Sequence, residues 1–285
     1  MIILRILMLF IMCNSVSAET IFTYRAKESE SDTRYEYDKR LLDLALQKTE
    51  EKYGPYKLVP SAAGSNTKRA QIDAEAGRYE NFFFKQSVTP ALLEKFGHVP
   101  FPIDRGIVGY RVAFVSEETK QKLKSVKTLD ELKQLVFLQG VGWNDADILK
   151  SHGFNVMLSG YYESMFKMIA YNRADMFIRG ANELLAEWEA HKDIENLRYD
   201  ETIVIHYPMP RFFFTTKTNT EAIKRVQEGI MAAYSDGSLI ALWEQEYQAS
   251  IDFSALKNRK VFELDNPFIQ NLDKSFIQYN YDPFE

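Results

Sequence analysis

Three short apolar runs, at 21–24, 56–59 and 81–84, are separated by two longer stretches whose apolar residues recur at helical spacing. This alternation is the strongest constraint in the chain, because each intervening stretch exceeds the dozen residues that a parallel crossover needs. It implies a βαβαβ unit, and so an α/β architecture. In the first crossover Thr33 and Glu36 stand at capping-box spacing. Tyr37, Leu41, Leu44 and Ala45 share one helical face, and Gly54-Pro55 closes the helix. The second crossover reads as a helix over 67–76 that Gly77 ends.

A long apolar segment at 107–115 leads into a second series. Thr128 and Glu131 form another capping box before a short helix. Strands at 136–138, 155–158 and 176–178 then alternate with helices at 144–152, 162–171 and 181–190. Strands at 202–206 and 211–216 flank Pro208 and Pro210. A third capping box, Thr218 with Glu221, opens a helix reaching Ala233, and Asp236-Gly237-Ser238 turns the chain into a last helix over 239–247. No repeat of fixed period is present.

Residues 1–18 carry Arg5, an apolar run at 6–12 and the small-residue exit Ser15-Val16-Ser17-Ala18. That is the layout of a secretory signal peptide, and its apolar part is too short to span a bilayer. The expected product is therefore a periplasmic protein cleaved after Ala18. Cys13, the single cysteine, lies inside this segment, so the exported chain has no disulfide and depends on its core. Ile11 and Met12 are not the small residues that precede a lipid-anchored cysteine, so no lipid anchor is expected. The formal net charge of −5 becomes slightly more acidic when Arg5 is lost, which argues against nucleic acid as a partner.

Nothing in the chain is laid out for catalysis. His98, His152, His191 and His206 contain no i, i+4 pair for a metal, and there is no Gly-x-Ser-x-Gly elbow or phosphate-cradling glycine loop. Asp145 and Asp147 are two apart on a helix and point different ways. No catalytic residue, metal or cofactor is expected.

Several strand ends do carry recognition chemistry. Gly140-Val141-Gly142-Trp143-Asn144-Asp145 takes a strand into a helix, and such junctions line ligand crevices at the carboxyl ends of α/β strands. Asp145 there could receive an ammonium group, while Trp143 reads equally as a core residue. Arg179-Gly180 occupies the equivalent position of the next unit, where arginine can hold a carboxylate or pair with Glu183. Tyr24 and Arg25 end the first strand, and Tyr161-Tyr162 opens a helix with aromatic faces suited to stacking.

The segments Tyr53-Gly54-Pro55-Tyr56-Lys57-Leu58, Gly109-Tyr110-Arg111, Gly140 through Asp145, Gly153-Phe154-Asn155-Val156, Arg179-Gly180, Asp236-Gly237-Ser238 and Asn258-Arg259 together resemble bacterial extracellular solute-binding proteins of family 3. The likeness is to a secreted branch related to amino-acid-binding components of ABC transporters, and it covers almost the whole exported chain. It implies a two-lobed type II periplasmic-binding-protein fold, with two mixed sheets flanked by helices and a hinge of two crossover segments near 107–116 and 205–216. Lobe one would combine 19–110 with 211–285, and lobe two would be 111–210. It also implies a monomer that holds a small polar solute in the cleft, closes on it, and serves a membrane permease or a sensor.

The amino-acid-binding members have a Thr-x-x-x-x-Arg stretch whose arginine holds the ligand carboxylate. Here the corresponding residues run Thr89-Pro90-Ala91-Leu92-Leu93-Glu94, with no arginine. A carboxylate would then fall to Arg25, Arg105 or Arg179. The candidate ligand-binding residues are accordingly Tyr24, Arg25, Arg105, Trp143, Asp145, Tyr161 and Arg179. The alternatives are a secreted enzyme on the same scaffold and an accessory module that has lost its small ligand.

Overall fold

The computed structural model describes residues 19–27 and 35–285. The expected signal peptide at 1–18 and Thr33 of the first capping box lie outside the described residues. Strands β1 (Thr20–Tyr24), β2 (Tyr56–Pro60) and β3 (Phe82–Ser87) form the anticipated parallel unit, with β1 in the middle. Helices α1 (Glu36–Lys48), α2 (Glu50–Tyr53) and α3 (Thr67–Glu75) lie in its crossovers. Phe82, Phe83 and Phe84 are all buried, because β3 is covered on both faces.

Helix α4 (Pro90–Lys95), short strand β4 (Gly97–Val99) and β11 (Arg211–Thr215) complete this first sheet, in the order β2-β1-β3-β11-β4. Both β3 and β4 pair antiparallel with β11, which makes the sheet mixed. The second sheet has the order β12-β10-β5-β8-β6-β7, with β9 (Leu197–Tyr199) paired to β5. Its members are β5 (Tyr110–Ser116), β6 (Val136–Gly140), β7 (Asn155–Ser159), β8 (Met176–Gly180), β10 (Ile203–His206) and β12 (Lys260–Glu263). Parallel pairs β6·β7 and β6·β8 again meet antiparallel partners around β5.

Helices α5 (Glu117–Leu123), α6 (Leu129–Leu132), α7 (Asn144–Ser151), α8 (Tyr162–Ala170) and α9 (Leu184–His191) flank the second sheet. The capping box of Thr128 and Glu131 is present at the start of α6. The third expected box is not formed. Helix α10 (Thr220–Ser235) starts after Asn219 with no side-chain cap, because Asn219 turns back to donate to the Thr215 hydroxyl at 2.9 Å and Thr218 pairs with Thr216. Helix α11 (Ser238–Ser254) runs seven residues past its expected end.

Helices α1 and α10 meet so closely at Gly229 that a Cβ there would sit 1.9 Å from the Ala45 carbonyl oxygen. Only glycine allows that approach, which draws Leu41, Leu42, Val226 and Ile230 into one core. Strand β12 lies within 211–285 yet pairs with β10 of the second sheet. Arg259 directs it there by donating to the carbonyls of Ser254, Asp200 and Ile203. The chain therefore passes between the sheets a third time, after α11, in addition to the passages before β5 and β11.

Candidate functional site

A cleft of about 830 Å³ opens between the two sheets. One wall comes from the first sheet and α1, through Arg25, Tyr37, Lys85 and Ser87. The opposite wall comes from the ends of β6 and β8 and the starts of α7, α8 and α9. The back is formed by α11, whose Ser250 hydroxyl donates to the Ala181 carbonyl at 2.7 Å and accepts the Leu185 N–H at 3.1 Å. Met209 and Arg211, where the chain returns to the first sheet, reach into the floor.

Of the candidate residues, Arg25, Trp143, Asp145, Tyr161 and Arg179 are brought together around this cleft. Tyr24 and Arg105 do not line it. Tyr24 is half-buried beneath the Lys39 ammonium, 5.9 Å from its ring centre. Arg105 has a left-handed backbone (φ 51°) that sends its guanidinium the other way, over Trp243 and Tyr281 and onto the Tyr279 carbonyl. Its charge ties down the C-terminal tail.

The second wall is an assembled ion-pair network. Arg179, buried, grips Glu187 through Nε (2.8 Å to both carboxylate oxygens) and Nη2 (2.6 Å), and also reaches Glu183 at 3.1 Å. Tyr162 donates to the same Glu187 at 2.6 Å. Asp145 accepts from Arg111 at 2.6 Å and from the Tyr207 hydroxyl at 2.5 Å, so its charge is already answered. Trp143 lies with Arg179 4.8 Å from its ring centre, and its indole rests on Gly140, where a Cβ would come within 2.4 Å of the ring. The glycine of that strand end is thus the seat of the indole.

Electrostatics follow the same arrangement. Burial pushes the Glu183 carboxyl up, but Arg179, Arg211, Arg111 and the Gly180 N–H outweigh it and hold the group far below the usual carboxylate range. Burial opposes the charge of Arg179 too, yet Glu183 and Glu187 raise its pKa well above the ordinary value. Asp104, fully enclosed behind the floor, goes the other way. Burial lifts its carboxyl against the pull of Arg211 and Lys85, and neither oxygen has a hydrogen bond among the described residues.

Sequence reading missed Tyr37, Ser87, Asn182, Glu183, Glu187, Arg211 and Tyr247 as cleft residues. Ser87 was within reach, since it is the last residue of β3 and strand carboxyl ends line such crevices. Arg211 begins its strand, and only pairing with Ser87 brings it here. Among the described residues no cluster of three or more His, Cys, Asp or Glu could hold a metal, and no helix is long and apolar enough to cross a membrane.

No protein-family model matches the chain, and no curated protein is significantly similar to it. Solved structures do resemble it. A Salmonella typhimurium periplasmic binding protein described for high arginine specificity superposes with a TM-score of 0.59 at 9% identity, covering 80% of this chain and 99% of its own. The GluR0 ligand-binding core of Nostoc punctiforme in complex with L-glutamate gives 0.53 at 13% identity, covering 80% and 99%. A Bacillus subtilis protein gives 0.57 at 19% identity, covering 87% and 97%. The chain therefore has the two-lobed α/β fold of type II periplasmic binding proteins, as its sequence resemblance implied.

Proposed function

We propose that this chain is an exported solute-binding protein. It receives a small polar solute between lobes built on the two sheets, closes on it by hinge rotation, and presents it to a membrane permease or a sensor as a monomer. The lobes correspond to 19–110 with 211–285 and to 111–210, apart from β12, which pairs in the second sheet. The observation that carries this reading is the cleft itself. Its volume falls in the range of small-molecule sites, and its lining combines aromatic faces with a few placed polar groups. Structures of the same fold are described with arginine, glutamine and glutamate bound. Carboxylates of the second wall are held by guanidinium groups, which suits an electrostatically fixed surface better than proton transfer.

The test is a thermal-shift screen of the exported chain against amino acids, short peptides, sugars, polyols and carboxylic acids. A true solute at a hundredfold excess over its Kd should stabilise the protein by about 2.7 kcal/mol. It should also change the fluorescence of Trp143, a response absent in Trp143→Phe. A screen with no stabilising compound would sink the reading, and conversion of a bound compound to product would replace it with the enzyme.

A further inference from the structure

Among the described residues four cationic side chains of Lys and Arg line the cleft, and three of them have partners within hydrogen-bond distance. Arg179 is bonded to Glu187 and Glu183. Lys85 is 2.6 Å from Asp38. Arg25 donates to the Ser65 carbonyl and the Thr67 hydroxyl and lies over the Tyr35 ring. Arg211 differs from all three. Its guanidinium makes no hydrogen bond among the described residues, and its nearest carboxylate oxygens, on Asp104 and Glu183, are each 3.8 Å away. Of those two, Glu183 is shared with Arg179 and Arg111.

Position adds a second observation. Arg211 sits directly opposite Ser87 in the antiparallel β3·β11 ladder, so the two side chains leave the same face of the sheet as neighbours. Both line the cleft, and the Ser87 hydroxyl likewise has no hydrogen-bond partner among the described residues. A planar fork of donors beside a hydroxyl, at the carboxyl end of a strand in the parallel unit, is fitted to a carboxylate. Two parallel N–H···O bonds from Arg211 and one O–H···O bond from Ser87 would complete it.

We propose that Arg211 and Ser87 form the acidic-group anchor of the cleft, so that the solute is a small molecule bearing a carboxylate. This rests on the solute-binding reading and assigns the charge to a residue outside the expected set of Arg25, Arg105 and Arg179. The remainder of the solute lies toward Trp143 and Tyr162, whose rings face the cleft from the opposite wall.

Matched acids and amides provide the test: L-amino acids with their α-amides, succinate with succinamide, and phenylacetate with phenylacetamide, with glucose and glycerol as uncharged probes. Melting shifts and calorimetric titration are read on the exported chain, Arg211→Gln, Arg211→Lys and Ser87→Ala. At least one acid should bind, and its amide should bind roughly thirtyfold or more weakly. Arg211→Gln should lower the acid to the level of the amide while leaving the amide unchanged. Arg211→Lys should recover part of the loss, and Ser87→Ala should weaken the acid about fivefold. Equal binding of acid and amide by the unmodified chain overturns the anchor without relying on any variant fold. So does an acid that Arg211→Gln holds as tightly as the unmodified chain. Binding of only glucose or glycerol would leave a solute-binding protein with no acidic anchor, whereas no binding in any class would remove both proposals.

Discussion

Two cleft arginines that both reach Glu183 stand in opposite conditions. Arg179, on the wall from the second sheet, is buried and bonded to two carboxylates. Arg211, on the floor beside the first sheet, is half-buried and, among the described residues, has carboxylates near it but none in hydrogen-bond range. The difference teaches how such a site divides its labour. Charge taken out of water must be matched by the protein itself, so the deeper wall becomes a rigid internal network. Charge that water still reaches can wait for a ligand.

Matched substitutions break this comparison most directly. Arg179→Ala strips Glu187 of its guanidinium partner and Glu183 of one of its three, and denaturant unfolding should show a loss about 3 kcal/mol larger than that of Arg211→Ala. Similar losses would mean that Arg211 is equally structural. Next in size is Glu183→Gln, which should cost about 2 kcal/mol at neutral pH by removing a charge-assisted partner of Arg179. Because the folded pKa of Glu183 is depressed, its contribution is complete above the unfolded glutamate value and is lost as pH falls toward the depressed one. The gap between Glu183→Gln and the parent should therefore narrow steadily in acid, as followed by melting from pH 7 downward.

Asp104→Asn should give the smallest effect, with the opposite sign. The folded pKa of Asp104 is raised, so the carboxyl favours folding least once pH has climbed through that raised value. Asparagine imitates the protonated form. It should match the parent in acid and exceed it by about 1 kcal/mol above that range. A destabilised Asp104→Asn at neutral pH would instead make Asp104 a working counter-ion of Arg211 and narrow the contrast between the walls.

Much of the fold was legible. The parallel unit, the glycine-led passage from β6 into α7 and the capping box at Thr128 follow from local pattern, because backbone propensity and turn chemistry act within a few residues. Strand β12 was not legible, since it is placed by Arg259 reaching the carbonyls of Asp200 and Ile203. The site was half legible. Trp143, Asp145 and Arg179 were found because strand ends and helix starts converge on a crevice. Their being already bonded was hidden, except for the Arg179 and Glu183 pair, whose separation of four invited it.

By itself the sequence determined the order of strands and helices, the two-series α/β plan and the loops that border a crevice, because these depend on spacing and on the conformational limits of nearby residues. Only the tertiary structure decided which charged groups meet. Arg111 finds Asp145, Arg179 finds Glu187, and Arg211 stands beside Ser87 with Asp104 and Glu183 each 3.8 Å away. The physical reason is that an ion pair needs a few ångströms of separation and loss of water, and folding brings those about between residues far apart in the chain.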